Sequence, residues 1–339
     1  MEHYVTLFDS LFLPQGLALH ASLSRHAGNF TLWVLCLDER TKHVLDSVGA
    51  PTLRTISLSE VESDELLGVK PKRTRAEYCW TLTPYTPKIV FDRAPDARRV
   101  TYVDADVFVL RSPREIFEEF ERSGKAVMIT DHAYDAEYDH AAVVGQFCVQ
   151  FMTFVRGSSE PVRRWWQDRC IEWCSETPQD GKLGDQKYLD DWPTRFGRLV
   201  HVLQQIDLLL APWNARRFPY SRAVAWHFQG LRLLSKRRVL LHGPYSVPEI
   251  VHQMVYEPYL AELARSVQIL GGYAVQKKTT HPLIRYPLEI ARNLKREVRR
   301  LLRHRAPVRT MPEPAAATAR QLRASPYGEA SGASGRSTG

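Results

Sequence analysis

The amino-acid sequence predicts an α/β fold with a mainly parallel central sheet flanked by helices. Three observations carry this. Strand and helix patterns take turns from the first residues onward. Two early strand patterns stop at an acid, Asp9 and Asp38, and sheets of this class bind ligands beyond the carboxyl ends of their strands. An apolar run over residues 99–110 carries two carboxylates one residue apart, Asp104 and Asp106, in a setting that otherwise reads as a buried strand.

Residues 4–9 read as a strand ending in a polar loop, and Pro14-Gln15-Gly16 leads into a helical pattern over 17–23. A strand over 31–37 stops at Asp38, followed by a helix over 40–48 and a strand over 52–56. A helix entered at Thr83 or Pro87 leads into the central run. After it, Ser112-Pro113 supplies an N-cap and a proline for a short helix through Phe120. A strand over 126–130 precedes a polar, aromatic loop over 131–140, whose His and Asp residues could line a site but which reads better as solvated, and a strand over 145–154. In the next helix Val162, Trp165, Trp166, Cys170 and Trp173 recur at helical spacing. Core packing accounts for these aromatics better than a sugar-stacking surface does. A loop flanked by Gly181 and Gly184 delivers Asp185 and Gln186 to the start of another helical turn. A strand over 207–211 precedes Pro212-Trp213-Asn214 and Trp226-His227-Phe228-Gln229-Gly230, and a helix over 256–270 closes the folded unit.

Asp104 and Asp106, read as positions i and i+2 of one strand, project to the same side. Buried carboxylates need a partner. Two oxygens aimed at one point suit Mg²⁺ or Mn²⁺ with room left for phosphate oxygens; a strand end whose acids cap a loop or pair with arginine would look the same. The five cysteines, odd in number and scattered, match reduced thiols in the cytoplasm. Cys170 and Cys174 read as small buried residues rather than half of a metal site.

The net charge of +8 invites a nucleic-acid reading, but its location argues otherwise. Residues 285–305 hold eight Lys or Arg against two Glu. Over 284–306 a stripe of Leu288, Ala291, Leu294, Val298, Leu301 and Leu302 is flanked by Arg292, Lys295, Arg296, Arg299, Arg300 and Arg303. That pattern suits an anchor on an anionic membrane surface, or a helix packed on its own domain with a solvated basic face. The start of the chain lacks a basic leader and no apolar run is long enough to span a bilayer. The expected location is the cytoplasm, with the inner face of the plasma membrane reached through 284–306. The expected divisions are a catalytic domain over 1–250, a helical extension over 251–283, the basic helix over 284–306 and a disordered tail over 307–339, rich in Pro, Ala, Ser and Gly.

Several motifs in order, Cys79-Trp80-Thr81-Leu82-Thr83-Pro84, Thr101-Tyr102-Val103-Asp104-Ala105-Asp106, Cys170-Ile171-Glu172-Trp173-Cys174, Asp180-Gly181-Lys182-Leu183-Gly184-Asp185-Gln186 and Ala211-Pro212-Trp213-Asn214, give the chain a resemblance. Over its first 250 residues or so it resembles bacterial glycosyltransferases of the GT-A fold, distantly similar to the glycogenin and lipopolysaccharide galactosyltransferase family. The resemblance implies transfer of a sugar from a nucleotide-diphosphate sugar, chiefly a UDP-sugar, to a saccharide or lipid-linked hydroxyl acceptor in cell-surface polysaccharide or glycoconjugate synthesis, with no nucleic-acid partner. It implies Mn²⁺ or Mg²⁺ on Asp104 and Asp106, with His227 as third ligand. It places Asp9 at the uridine, Asn214 beside the donor, Arg232 and Lys236 near a phosphate-binding position, and Asp185 and Gln186 at the transferred or accepting sugar. Asp185 would be the base if the reaction inverts, and Asp185 and Gln186 would position the sugar if it retains. One departure stands out: relatives carry Asn-x-Gly where this chain has Cys148-Val149-Gln150. Thus Cys148 removes an amide donor and acceptor at once. Two alternatives fit parts of the pattern: a haloacid-dehalogenase-type phosphatase, whose Asp-x-Asp normally sits near the domain's start, and a non-catalytic basic adaptor for membrane or nucleic acid.

Overall fold

The computed structural model describes residues 1–271 and 307–313. Its strands in chain order are β1 (Glu2–Phe8), β2 (Phe30–Cys36), β3 (Leu53–Ser57), β4 (Arg99–Val103), β5 (Val107–Val109), β6 (Val127–Asp131), β7 (Phe147–Val155), β8 (Val200–Val202), β9 (Leu209–Leu210), β10 (Ala225–His227), β11 (Arg232–Leu233), β12 (Arg238–Leu240) and β13 (Val308–Thr310). Seven of them form the central sheet in the order β3-β2-β1-β4-β7-β6-β8. Only β7 runs against the others. This is the mainly parallel sheet the alternation predicts, with Asp104 just past the end of the central strand β4.

The sheet is covered on both faces, which is why β1, β4 and β7 are buried along nearly their whole length rather than at alternate residues. On one face the helix Leu13–His26 buries Leu13, Leu17, Leu19 and Leu23 among Tyr4, Val34 and Val103. On the other, the helices Thr86–Arg93 and Glu160–Glu172 bury Val90 and Trp166 among Val5, Val100 and Phe154. Of the helical aromatic stripe, Trp166 is fully buried and edge-on to Trp192, so the core reading holds for it. Local chemistry sets the boundaries. Asp38 caps the helix Glu39–Val48 by accepting the Thr41 amide at 2.8 Å, and Gly49 ends it at φ 64°.

Three expectations need correction. Residues 99–110 are not one strand. The chain turns at Asp104, with the Val107 amide donating to the Asp104 carbonyl at 3.1 Å, and continues as β5 in a second sheet ordered β5-β10-β9. The helix Glu257–Ile269 closes the folded unit as expected, with Tyr259 and Leu263 sharing a core with Ala18, Phe108 and Trp226. Residues 307–313 do not begin a disordered tail. β13 pairs antiparallel with β12, Met311 is buried and its amide reaches the Arg237 carbonyl at 2.7 Å, so the unpaired edge of β12 finds its partner there. The loop over 131–140 is not simply solvated, since His132 is buried with its ring stacked on Tyr134. Cys170 and Cys174 are buried free thiols. The basic segment 284–306, the rest of the extension and residues 314–339 lie outside the described residues. No helix among the described residues is long and apolar enough to cross a membrane.

Candidate active site

Three short pieces of backbone bring three ligands together. Asp104 follows β4 and its amide donates to the Gln150 carbonyl of β7 at 3.1 Å. Asp106 precedes β5, and its carbonyl accepts the Phe228 amide at 2.9 Å. His227 ends β10, paired with Val107 of β5. The Asp104, Asp106 and His227 ligand atoms lie within 4.8 Å of one another. His227 Nε2 is 3.1 Å from Asp106 Oδ1 and 3.7 Å from Asp104 Oδ2, and the Tyr102 hydroxyl donates to Asp104 Oδ1 at 2.8 Å. The convergence predicted from alternation is therefore present, but a turn produces it.

The charges explain one another. Burial pushes the Asp104 carboxyl upward against the pull of His227. Asp106 is held below its usual value because His227 and, further off, Arg232 outweigh its burial. The His227 ring, despite burial, is raised well above the usual histidine value by Asp106, with contributions from Cys148 and Asp104. Two carboxyls thus face one imidazole, and the acids of the cluster outnumber its base.

Asp185 is buried and its carboxyl is pushed up to about 8, by burial first and then by Asp104. Its loop is built to present it: Gly184 takes φ 53°, where an added Cβ would stand 3.3 Å from the Trp80 ring, and the Trp166 indole donates to the Asp185 carbonyl at 2.8 Å. Gln186 donates through Nε2 to the Val144 carbonyl at 3.2 Å. Lys187 reaches the Ala141 carbonyl at 2.9 Å and Asp190 accepts the Gln146 amide at 2.8 Å. This segment therefore grips the loop that leads into β7 and Cys148. The Cys148 thiol is buried, yet His132 and His227 draw it down to about 7.

Other predicted residues stand differently. Asp9 lies at the end of β1, with Oδ1 accepting the Leu11 amide at 2.8 Å and Oδ2 paired with Arg75 Nε at 2.6 Å. Arg232 lies in β11 with its guanidinium 6.0 Å from the Phe12 ring centroid. Lys236 is exposed in the turn between β11 and β12, and no described hydrogen bond or ion pair joins it to the three ligands. Asn214, expected beside the donor, is wholly buried: Oδ1 accepts the Ala211 amide at 2.8 Å and Nδ2 donates to the His132 carbonyl at 3.0 Å. Both ends of that amide are spent on the backbone, so Asn214 holds the loop that carries His132.

Arg75 and Tyr102 went unnoticed in the sequence, and His132 lies in the loop whose His and Asp residues were weighed as site-lining but read as solvated. A signal for the first was present: Thr74-x-x-Glu77 is a capping box that starts the helix Arg75–Leu82, which fixes Arg75 at its mouth.

No protein-family model matches the chain. Among solved structures it is similar to the apo form of mouse xyloside xylosyltransferase 1, at 16% identity and a TM-score of 0.45, covering 68% of this chain and 98% of that one. That overlay lends nothing to the chemistry, which stands on this chain's own residues. Among curated proteins it is 28% identical over 250 residues to the uncharacterized protein YfnF of Bacillus subtilis (strain 168), covering 68% of this chain and 82% of YfnF. It is 30% identical over 283 residues to the uncharacterized protein YfnD of the same organism, covering 78% of this chain and 89% of YfnD. With that identity sustained across most of both chains, the protein belongs to the family of YfnD.

Proposed function

We propose that the chain is a metal-dependent glycosyltransferase. It moves a sugar from a nucleotide-diphosphate sugar, a UDP-sugar, to a hydroxyl of a saccharide or lipid-linked acceptor in the synthesis of a bacterial cell-surface polysaccharide or glycoconjugate. The observation that carries this is the convergence of Asp104, Asp106 and His227 at the carboxyl end of the central sheet. Two carboxylate oxygens and an imidazole nitrogen suit Mn²⁺ and accommodate Mg²⁺. Two buried acids facing one base are what a cation would balance. When bound, such an ion supplies Lewis-acid stabilisation for the charge developing on a departing diphosphate.

The remaining steps belong to the chain's own side chains. Arg232, whose charge already acts on Asp106, adds a fixed cation beside the leaving group. In an inverting transfer Asp185 takes the acceptor's proton, and a carboxyl raised to about 8 suits a base working near neutral pH. In a retaining transfer Asp185 and Gln186 hold the sugar. Cys148 stands where the family resemblance implies an amide on the sugar, so the donor sugar is not carried over from that family. Residues 284–306 set the protein on an anionic membrane, a role that vesicle co-sedimentation of a chain truncated after Leu283 tests.

The decisive experiment is a panel of nucleotide sugars with Mn²⁺, scored by thermal shift and by donor hydrolysis. One donor should stabilise the protein and be hydrolysed only with metal, and Asp104→Ala with Asp106→Ala should abolish both effects while the variant stays folded. A fully active double variant would remove the metal role, and a trapped aspartyl-phosphate on Asp104 would mark a phosphatase instead.

A further inference from the structure

Arg232 acts on Asp106 by its charge, yet it belongs to neither of the sheets that position the three ligands. It opens β11, which is two residues long and pairs with β12 alone, Arg232 to Leu240 and Leu233 to Val239. A ribbon of two strands is marginally stable at best in water. The third strand comes from far along the chain. Leu240 pairs onward with Val308 of β13, Val239 with Arg309 and Arg238 with Thr310. The Leu241 amide donates to the Pro307 carbonyl at 3.2 Å and the Met311 amide to the Arg237 carbonyl at 2.7 Å, so the ladder is closed at both ends.

The two faces of this small sheet divide the work. Leu233 and Val239 oppose each other, and with Leu231, Leu241 and Met311 they are buried in one core. Alternate residues point the other way, so Arg232, Leu240 and the exposed Val308 form one row across the outer face. Arg232 Nη1 donates to the Leu231 carbonyl at 2.7 Å, and the guanidinium therefore takes its place from the backbone of its own strand. The loop that leads into Arg232 leans on β12 as well. Gly230 there takes φ 85°, and an added Cβ would stand 3.2 Å from the Gly243 amide nitrogen just past β12. Ladder, core and loop contact all pass through β12, and β13 is what closes the free edge of β12.

We propose that β13 is a positioning element for the donor: by bracing β12 it holds Arg232 at the leaving diphosphate, so that this part of the site is complete only with residues 307–313 in place. This rests on the nucleotide-sugar reading above. The dependence is specific to the diphosphate. Asp104, Asp106 and His227 take their places from main-chain bonds among β4, β5, β7 and β10, so metal binding does not need β13. A strand that served stability alone would affect metal and diphosphate together, or neither.

The test is calorimetric titration of Mn²⁺ alone, and then of UDP into the Mn²⁺-loaded full chain, for wild type, Arg309→Pro, Arg309→Ala and Arg232→Gln. Proline at 309 takes an amide out of the ladder, whereas alanine keeps the backbone and gives up an exposed pairing with Glu249. Arg309→Pro and Arg232→Gln should each weaken UDP about tenfold, the worth of a hydrogen bond to a charged group, with Mn²⁺ affinity unchanged. Arg309→Ala should leave both affinities within about twofold. The double variant of Arg309→Pro with Arg232→Gln should bind UDP no more weakly than either single one, because a displaced arginine and an absent one are equivalent. Amide exchange over 232–240 should quicken in Arg309→Pro while that over 225–227 does not. UDP affinity unmoved by Arg309→Pro, losses that add to about a hundredfold in the double variant, an equal loss in Arg309→Ala, or a fall in Mn²⁺ affinity alongside that for UDP overturns the proposal. If Arg309→Pro does not fold, Met311→Ala takes its place in the cycle under the same criteria. Failure of wild type to bind UDP with Mn²⁺ overturns the donor reading and this one with it.

Discussion

Proton release on metal binding is the sharpest test of the Asp104, Asp106 and His227 cluster. Burial alone would make the His227 ring neutral, but Asp106 at 3.1 Å and Asp104 at 3.7 Å raise it well above its usual value. At pH 7 the ring therefore carries two protons and stands as a cation between the acids. A metal needs the lone pair of Nε2, so the proton there must leave. Binding of Mn²⁺ should release about one proton per ion from this ring, and below the ring's raised pKa the affinity should climb about tenfold per pH unit, or 1.4 kcal/mol. Calorimetry in two buffers of different ionisation enthalpy measures the release directly. His227→Gln keeps a neutral oxygen at the position without a proton to lose, so its release should fall by about one and its pH dependence should flatten. No release from wild type, or the same release from His227→Gln, refutes the reasoning.

Three further outcomes are expected. His20 is buried and its pKa is pushed down to about 4, so the unfolded chain binds its proton first. The stability it permits is complete above pH 6.5 and is lost as pH falls toward 4, by about 3 kcal/mol; urea melts across that window should be steeper for wild type than for His20→Gln. Asn214→Ala strands the Ala211 amide, while the His132 carbonyl keeps the Trp213 indole at 2.8 Å, and should cost about 2 kcal/mol in urea denaturation, while the folded variant keeps its nucleotide affinity because the amide bonds to backbone groups. Met311→Ala should cost about 2 to 3 kcal/mol by the same assay, whereas a tail without structure would show no change.

The first strands and helices were legible because burial writes a periodic pattern and Asp38 and Gly49 write the stops. The central run was legible as apolar but not as two strands. Val107, Phe108 and Val109 satisfy the same pattern as residues 100–103, and nothing local says that their hydrogen bonds go to β10, more than a hundred residues later. β13 was hidden for the same reason. Its three residues are exposed and polar in part, and only the open edge of β12 makes them a strand. Among the site residues, Asp104, Asp106 and His227 were legible through their company in sequence. Asn214 was assigned by the same company and lies in the same neighbourhood, but its amide is consumed by backbone groups that pattern cannot see. Arg75 was overlooked because an arginine at a helix start usually means only solubility.

The break at Asp104 is what makes the cluster independent of side-chain packing. Had residues 99–110 stayed one strand, Asp104 and Asp106 would both lie in the central sheet, and His227 would have no backbone route to them. Because the chain turns, Asp104 is fixed by the Gln150 carbonyl in one sheet, Asp106 by the Phe228 amide of the other, and His227 by its register with Val107. Each ligand is set by main-chain hydrogen bonds, and none depends on another ligand's side chain for its place. Replacing Asp104 or Asp106 with asparagine therefore removes charge without removing any bond that holds the two sheets together. Burial and the charge of Asp106 push the Asp104 carboxyl up, so Asp104→Asn should be at least as stable as wild type without metal in urea denaturation. Asp106→Asn takes away the charge that holds the His227 proton and should be the less stable of the two, so the cost of keeping Asp104 is recovered only when a cation sits between the acids.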